Sequence, residues 1–114
     1  MKIPSTISQK FIKKHLENDK HPFLSAHSVQ VCKIAMEIFK CARSLHKLGK
    51  NEKKLLAYAS LLHDIGYKKD VMRHNKYSRD IILDLKIPKC SKIKQKLIAC
   101  IARYHRGTFP SPTH

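Results

Sequence analysis

Residues 53–67 read KKLLAYASLLHDIGY, and their spacing decides the fold class. Leu55, Leu56, Ala59 and Leu62 recur at the three- and four-residue intervals that bring side chains onto one face of a helix. A helix that begins after Asn51, a residue able to cap it, and is closed by Gly66 accounts for the pattern. His63 lies four and seven residues after Ala59 and Leu56, so it continues the inward stripe. Asp64 follows about 100° further round the same turn. An imidazole and a carboxylate thus leave the end of one core helix together.

The same periodicity extends in both directions. Residues 24–48 carry Val31, Ile34, Ala35, Ile38, Ala42 and Leu45 at helical spacing, with Gly49 as the stop, which predicts one long helix with those residues inward. Before it, Ser5 or Thr6 can cap a helix over 5–18 with Ile7, Phe11 and Leu16 as its stripe, and Pro22 separates the two. Downstream, a loop through Lys68–Arg73 leads to a helix near 75–85 with Ile81, Ile82 and Leu85, ending before Pro88. Ser91 can cap a last helix with Ile93, Leu97, Ile98 and Ile101 inward, and the GTFPSPTH that follows reads as a loop or tail. No period-2 strand pattern and no internal repeat is present. The expected fold is all-α, a single bundle of about five helices.

Composition narrows the class. A chain of 114 residues with 42% hydrophobic residues has room for one modest core. The longest apolar run, LLAYASLL at 55–62, falls far short of the ~20 residues needed to cross a bilayer, and MKIPSTIS at the start has no signal-peptide core. A cytoplasmic protein without a membrane partner is expected. Cys32, Cys41, Cys90 and Cys100 have no CxxC spacing and read as reduced packing thiols. Twenty-four Lys and Arg against eight Asp and Glu give a net charge of +16, which attracts anionic partners such as phosphate esters. Nucleic acid is a weaker candidate, since the lysines are spread along the chain without interleaved aromatics.

Four histidines share the inward placement. His27 lies four and seven before Val31 and Ile34, His74 four and seven before Ser78 and Ile81, and His105 four and seven after Ile101 and Ile98. One such histidine is ordinarily a core residue with a satisfied hydrogen bond. Four from four helices, beside Asp64, form a set of imidazole and carboxylate ligands suited to a divalent transition metal: Mn, Co, Fe, Ni or Zn. His15, His21, His46 and His114 lack the placement and read as surface residues. Asp80 and Asp84, about 240° and 280° round the helix from His74, read as solvated charges.

The order H…HD…H…H resembles the HD superfamily of metal-dependent phosphohydrolases. More narrowly, AHSVQVCKIAMEIF, LLHDIGY, RHNKYSRDIIL and IARYHRGTFPSPTH resemble, in order over residues 24–114, the HD segment of the exopolyphosphatase and guanosine pentaphosphate phosphatase family. The expected organisation is an N-terminal helix over 1–22 and an HD-like domain over 23–114, the latter truncated or forming one unit with that helix. The resemblance implies that His27, His63 and Asp64 are metal ligands, with His63 and Asp64 catalytic. His74 and His105 would hold a second metal or the substrate phosphate.

The implied activity is metal-dependent hydrolysis of a nucleotide or other phosphate ester. Lys76, Arg103 and Arg106, beside the histidine motifs, would neutralise phosphate charge or else stand as exposed basic side chains. Two departures matter. The narrower family often has a block resembling HHKHS where this chain has His74–Asn75–Lys76–Tyr77–Ser78, and HD hydrolases draw a last ligand from an aspartate after the fifth helix, whereas no Asp or Glu follows Asp84. The alternative expectation is therefore a catalytically incomplete HD module that binds nucleotide, nucleic acid or a protein. Polyphosphate cleavage, tied in the family to a domain of another fold, is not expected of these residues.

Overall fold

The computed structural model describes residues 2–105, and every regular element among them is helical. Helix α1 (Gln9–Leu16) is capped not at Ser5 or Thr6 but at Ser8, whose Oγ accepts the Phe11 N–H at 3.1 Å. Helix α2 (Phe23–Cys41) begins directly after Pro22. The long helix expected over 24–48 is broken at Ala42, and a single turn, α3 (Arg43–His46), follows.

His46 explains the break, and it is no surface residue. The Leu48 N–H donates to its Nδ1 at 2.8 Å, so its Nε2 carries the proton and donates to the Phe39 carbonyl, also at 2.8 Å. The ring thereby caps the joint between α2 and α3, while Lys47 turns the chain out in a left-handed conformation, φ 53°.

Helix α4 (Lys50–Leu62) starts two residues earlier than a cap at Asn51 implies, with Gly49 at the cap position, and runs into a 3-10 turn (Ile65–Lys68). Helices α5 (His74–Asp84) and α6 (Lys92–Tyr104, capped by Ser91) complete the bundle. Helix α2 packs on α4, α4 on α6, and α5 on both α6 and the 3-10 turn. The Gln95 amide of α6 donates to the Ile82 and Leu85 carbonyls, each at 2.6 Å, which satisfies the open end of α5.

A single buried cluster contains Ile7, Ile12 and Leu16 from the N-terminal segment together with Tyr58, Leu61, Leu62, Ile65 and Ile98. The inward faces of α2 and α6 are rotated from the expected ones. Leu24, Ser28, Cys32, Met36 and Phe39 face the core of α2, while Ile34, Ile38 and Leu45 are exposed. Helix α6 buries Ile98, Ala99 and Ala102 and leaves Ile93, Leu97 and Ile101 outside. Small side chains let helices approach closely, so the buried face is not the one with the largest residues. Of the four thiols only Cys32 is a buried packing residue; Cys41 and Cys100 are exposed and Cys90 is half-buried, and all four are free.

Asp80, paired with Arg79 at 3.0 Å, and Asp84 are exposed, as their helical phase implies. Among the described residues no helix is long and apolar enough to cross a membrane.

Candidate metal centre

One carboxylate organises the site. Asp64 directly follows His63, the C-cap of α4, and precedes the 3-10 turn, so both side chains emerge where one helix ends. His74 is the first residue of α5 and His105 the residue after α6. His27 comes from the first third of α2. Three helix ends and one helix flank therefore deliver five side chains to one end of the bundle.

The two oxygens of Asp64 divide the histidines into pairs. His27 Nε2 and His63 Nε2 each lie 3.0 Å from Oδ2, and His74 Nε2 and His105 Nε2 each lie 3.1 Å from Oδ1. The Nε2 atoms of His74 and His105 are themselves 3.1 Å apart. Two groups result, His27–His63–Asp64 and Asp64–His74–His105, each with its ligand atoms within 4.8 Å of one another. Asp64 and His74 are buried, and His63 and His105 are half-buried. His27 is more open than its expected place on the inward stripe, with 53% of its side chain exposed, because it sits beside the buried Ser28 rather than on the buried line itself.

The ring hydrogens show which atoms are offered. Nδ1–H donates to a main-chain carbonyl three residues back in His63 (Ser60, 2.6 Å), His74 (Val71, 2.9 Å) and His105 (Ala102, 2.5 Å). A carbonyl only accepts, so Nδ1 carries the proton in all three and the neutral ring presents a bare lone pair at Nε2. These lone pairs point at a carboxylate, another acceptor. Such an arrangement is stable only with positive charge between the groups, supplied by a second proton on the ring or by a cation.

Among the described residues, Asp64 Oδ1, buried and 3.1 Å from two imidazoles, is left without a hydrogen-bond donor while those rings are neutral. Burial by itself would raise the Asp64 carboxyl. Once the His105 and His63 rings take a second proton, at Nε2, their hydrogen bonds and charge outweigh burial and hold the group well below the usual carboxylate range. Nitrogen and oxygen donors with backbone-anchored rings are the set a divalent transition ion takes, so the residues fit such an ion.

The remaining sequence candidates lie elsewhere. Lys76 is exposed, two residues and about 200° round α5 from His74, so it faces away from the cluster. Arg103 is half-buried, with its guanidinium 5.2 Å over the Tyr104 ring and its carbonyl accepting from Asn75 at 3.1 Å. Arg106, His114 and the expected C-terminal tail fall outside the described residues. His15 and His21 are half-buried, not surface residues, because their rings lie against Phe11 and Tyr67.

Two residues escaped the sequence reading. Tyr67 stacks flat on His74, with centroids 4.1 Å apart and planes at 13°, and its only signal was adjacency to the HD pair. Ser78, fully buried, accepts the Gly66 N–H at 2.7 Å and ties the 3-10 turn to α5. Gly66 has to be glycine, since a Cβ there would run into the His74 carbonyl oxygen and lie 2.7 Å from Ser78 Oγ.

No curated protein and no solved structure matches the chain. The model of one family, Ppx/GppA phosphatase, domain III, matches residues 11–114. The match takes in all but the first two residues of α1, every later element and all five residues of the cluster, and on that evidence the chain belongs to the Ppx/GppA phosphatase domain III family.

Proposed function

We propose that the chain is a metal-dependent phosphohydrolase of the HD type, acting on phosphate esters. The observation that carries the reading is the opposition of lone pairs: three imidazoles, each with its proton held by a backbone carbonyl, aim bare Nε2 atoms at the two oxygens of one buried carboxylate. His27, His63 and Asp64 would hold one divalent ion and His74 and His105 a second, with Asp64 shared. When bound, such ions supply positive charge to phosphoryl oxygens and lower the pKa of water. The histidines keep their rings oriented through the main-chain hydrogen bonds, and Asp64 sets the spacing of the two groups. The half-exposed His27 leaves the Oδ2 side open to a ligand from solvent. The metal could be Mn, Co, Fe, Ni or Zn, all compatible with the donors.

A second reading has its own observation. Among the described residues Asp64 is the one carboxylate in either ligand group. A site so poor in carboxylates would suit a module that binds a phosphate-bearing ligand without turning it over. Phosphate release from a panel of nucleotides and simple esters, with each metal, decides between them. Slow metal-dependent release by the wild type, absent in Asp64→Ala, is expected; equal release by both proteins with every metal leaves the binding module.

A further inference from the structure

Helix α6 is apolar on two sides. Its inward side buries Ile98, Ala99 and Ala102 against the bundle, and its outward side carries larger aliphatic residues. Ile93 is 81% exposed, Leu97 46% and Ile101 41%, with Cys100 exposed between the last two, and none of the four belongs to the core cluster. Single exposed leucines are ordinary on a protein surface, but a row of such side chains along one helix marks a binding face. The row keeps a fixed spacing. Ile93, Leu97, Cys100 and Tyr104 follow one another at intervals of four, three and four residues, those of a coiled-coil seam, and Ile101 widens it on one side. The exposed Lys94 and Lys96 stand on its two flanks, and α6 contains no acidic residue.

These features select the occupant. A lipid surface takes a broad apolar face with large aromatic anchors, whereas this seam is narrow and has a cysteine in its row. A second copy would bring more cations to the flanks and a further +16 to the complex. A helix with its own apolar seam, flanked by glutamates or aspartates, satisfies both the row and its flanks. Its aliphatic side chains would interdigitate with Ile93, Leu97 and Cys100, and its carboxylates would face Lys94 and Lys96. We propose that the outer face of α6 docks an acidic amphipathic helix of a protein partner. The docking is independent of the metal centre.

The test is calorimetric titration of the whole chain with two synthetic three-heptad helices that carry Leu and Ile on the seam, one with Glu on both flanks and the other with Lys. The Glu helix should bind about tenfold tighter, as two exposed ion pairs turned from attraction to repulsion supply. A variant with both Ile93→Gln and Leu97→Gln should lose about tenfold or more in affinity for it, since burial of each aliphatic side chain is forfeited. A variant with both Lys94→Glu and Lys96→Glu should reverse the preference between the two helices. All four residues lie outside the core, so both variants should fold, which circular dichroism checks. Binding of the Glu helix that survives the glutamine variant unchanged is attraction by net charge alone and overturns the proposal. Two other results overturn it by naming another occupant: binding to phosphatidylserine vesicles in place of the Glu helix, or a dimer in sedimentation that the glutamine variant dissolves. A face that accepts the Glu helix only after residues 106–114 are removed overturns it too, with that segment as the occupant.

Discussion

Replacing Gly66 with alanine should weaken the fold and disturb half of the site in one step. The added Cβ would run into the His74 carbonyl oxygen and lie 2.5 Å from the Ser78 nitrogen. Both are backbone atoms, which cannot swing aside as a side-chain tip can, so α5 must withdraw from the 3-10 turn. Forcing extra volume into a packed interior costs about 1–3 kcal/mol. Withdrawal also breaks the buried Gly66 N–H to Ser78 Oγ hydrogen bond, for roughly 1–3 kcal/mol more. At ~4–8 °C per kcal/mol for a domain near this size, the thermal midpoint should fall by ~10 °C or more. Circular dichroism melts in the presence of a chelator measure it without a contribution from bound metal. Ser78→Ala, which loses the bond without the clash, should fall by less. Since His74 opens α5, its ring leaves Asp64 Oδ1 in Gly66→Ala, and metal titration should retain only the His27–His63–Oδ2 group. A midpoint within ~2 °C of wild type would falsify the close-approach argument.

Three further outcomes are expected. Mn²⁺, Co²⁺ or Zn²⁺ should raise the wild-type melting temperature, by about 2.7 kcal/mol of stabilisation at a hundredfold excess over Kd, and should do little for a His63→Ala, Asp64→Ala double variant; equal shifts would place the metal elsewhere. In the metal-free protein the Asp64 carboxyl is depressed, so its stabilising contribution is present above the ordinary carboxylate pKa and is lost only as pH falls well below it. Urea titrations of wild type and Asp64→Asn should accordingly show a stability gap at pH 6 that persists through pH ~4 and closes in stronger acid; a gap already closed at pH 5 contradicts the assignment. Ser28 Oγ is buried without a hydrogen-bond partner among the described residues. Ser28→Ala should thus leave the stability measured by urea titration unchanged or raise it by up to about 1 kcal/mol, whereas a clear loss of stability would reveal a partner for the hydroxyl.

The helical class and the histidine cluster were legible in the sequence for different reasons. Polar residues on apolar stripes are rare enough to stand out, so His63, His74 and His105 could be placed at the bundle's interior from spacing alone. Helical phase was less legible where a helix is apolar on more than one side. On α6, the isoleucines at 93 and 101 outweigh the alanines at 99 and 102 by any measure of hydrophobicity, yet the alanines are inside because a neighbouring helix needs the room. The break at Ala42 depends on the His46 ring reaching back to Phe39, a contact between residues seven apart that no local propensity encodes. Tyr67 was invisible for a related reason: its place in the site comes from its stack on His74, a contact across space, and a linear pattern records only what lies along the chain.

The two ligand groups also bear on how long the protein survives. His27 and Asp64 are 37 residues apart in the chain, and His74 and His105 are 31 apart. An ion in each group would rivet together segments that otherwise separate whenever the bundle breathes, and the longer the stretch so closed, the greater the freedom denied to the opened chain. The openings suppressed would be those at the start of α2 and the end of α6, where proteases and amide exchange gain access first. In a metal-starved cell such a protein would be cleared sooner, so its abundance would follow metal supply without any dedicated sensor.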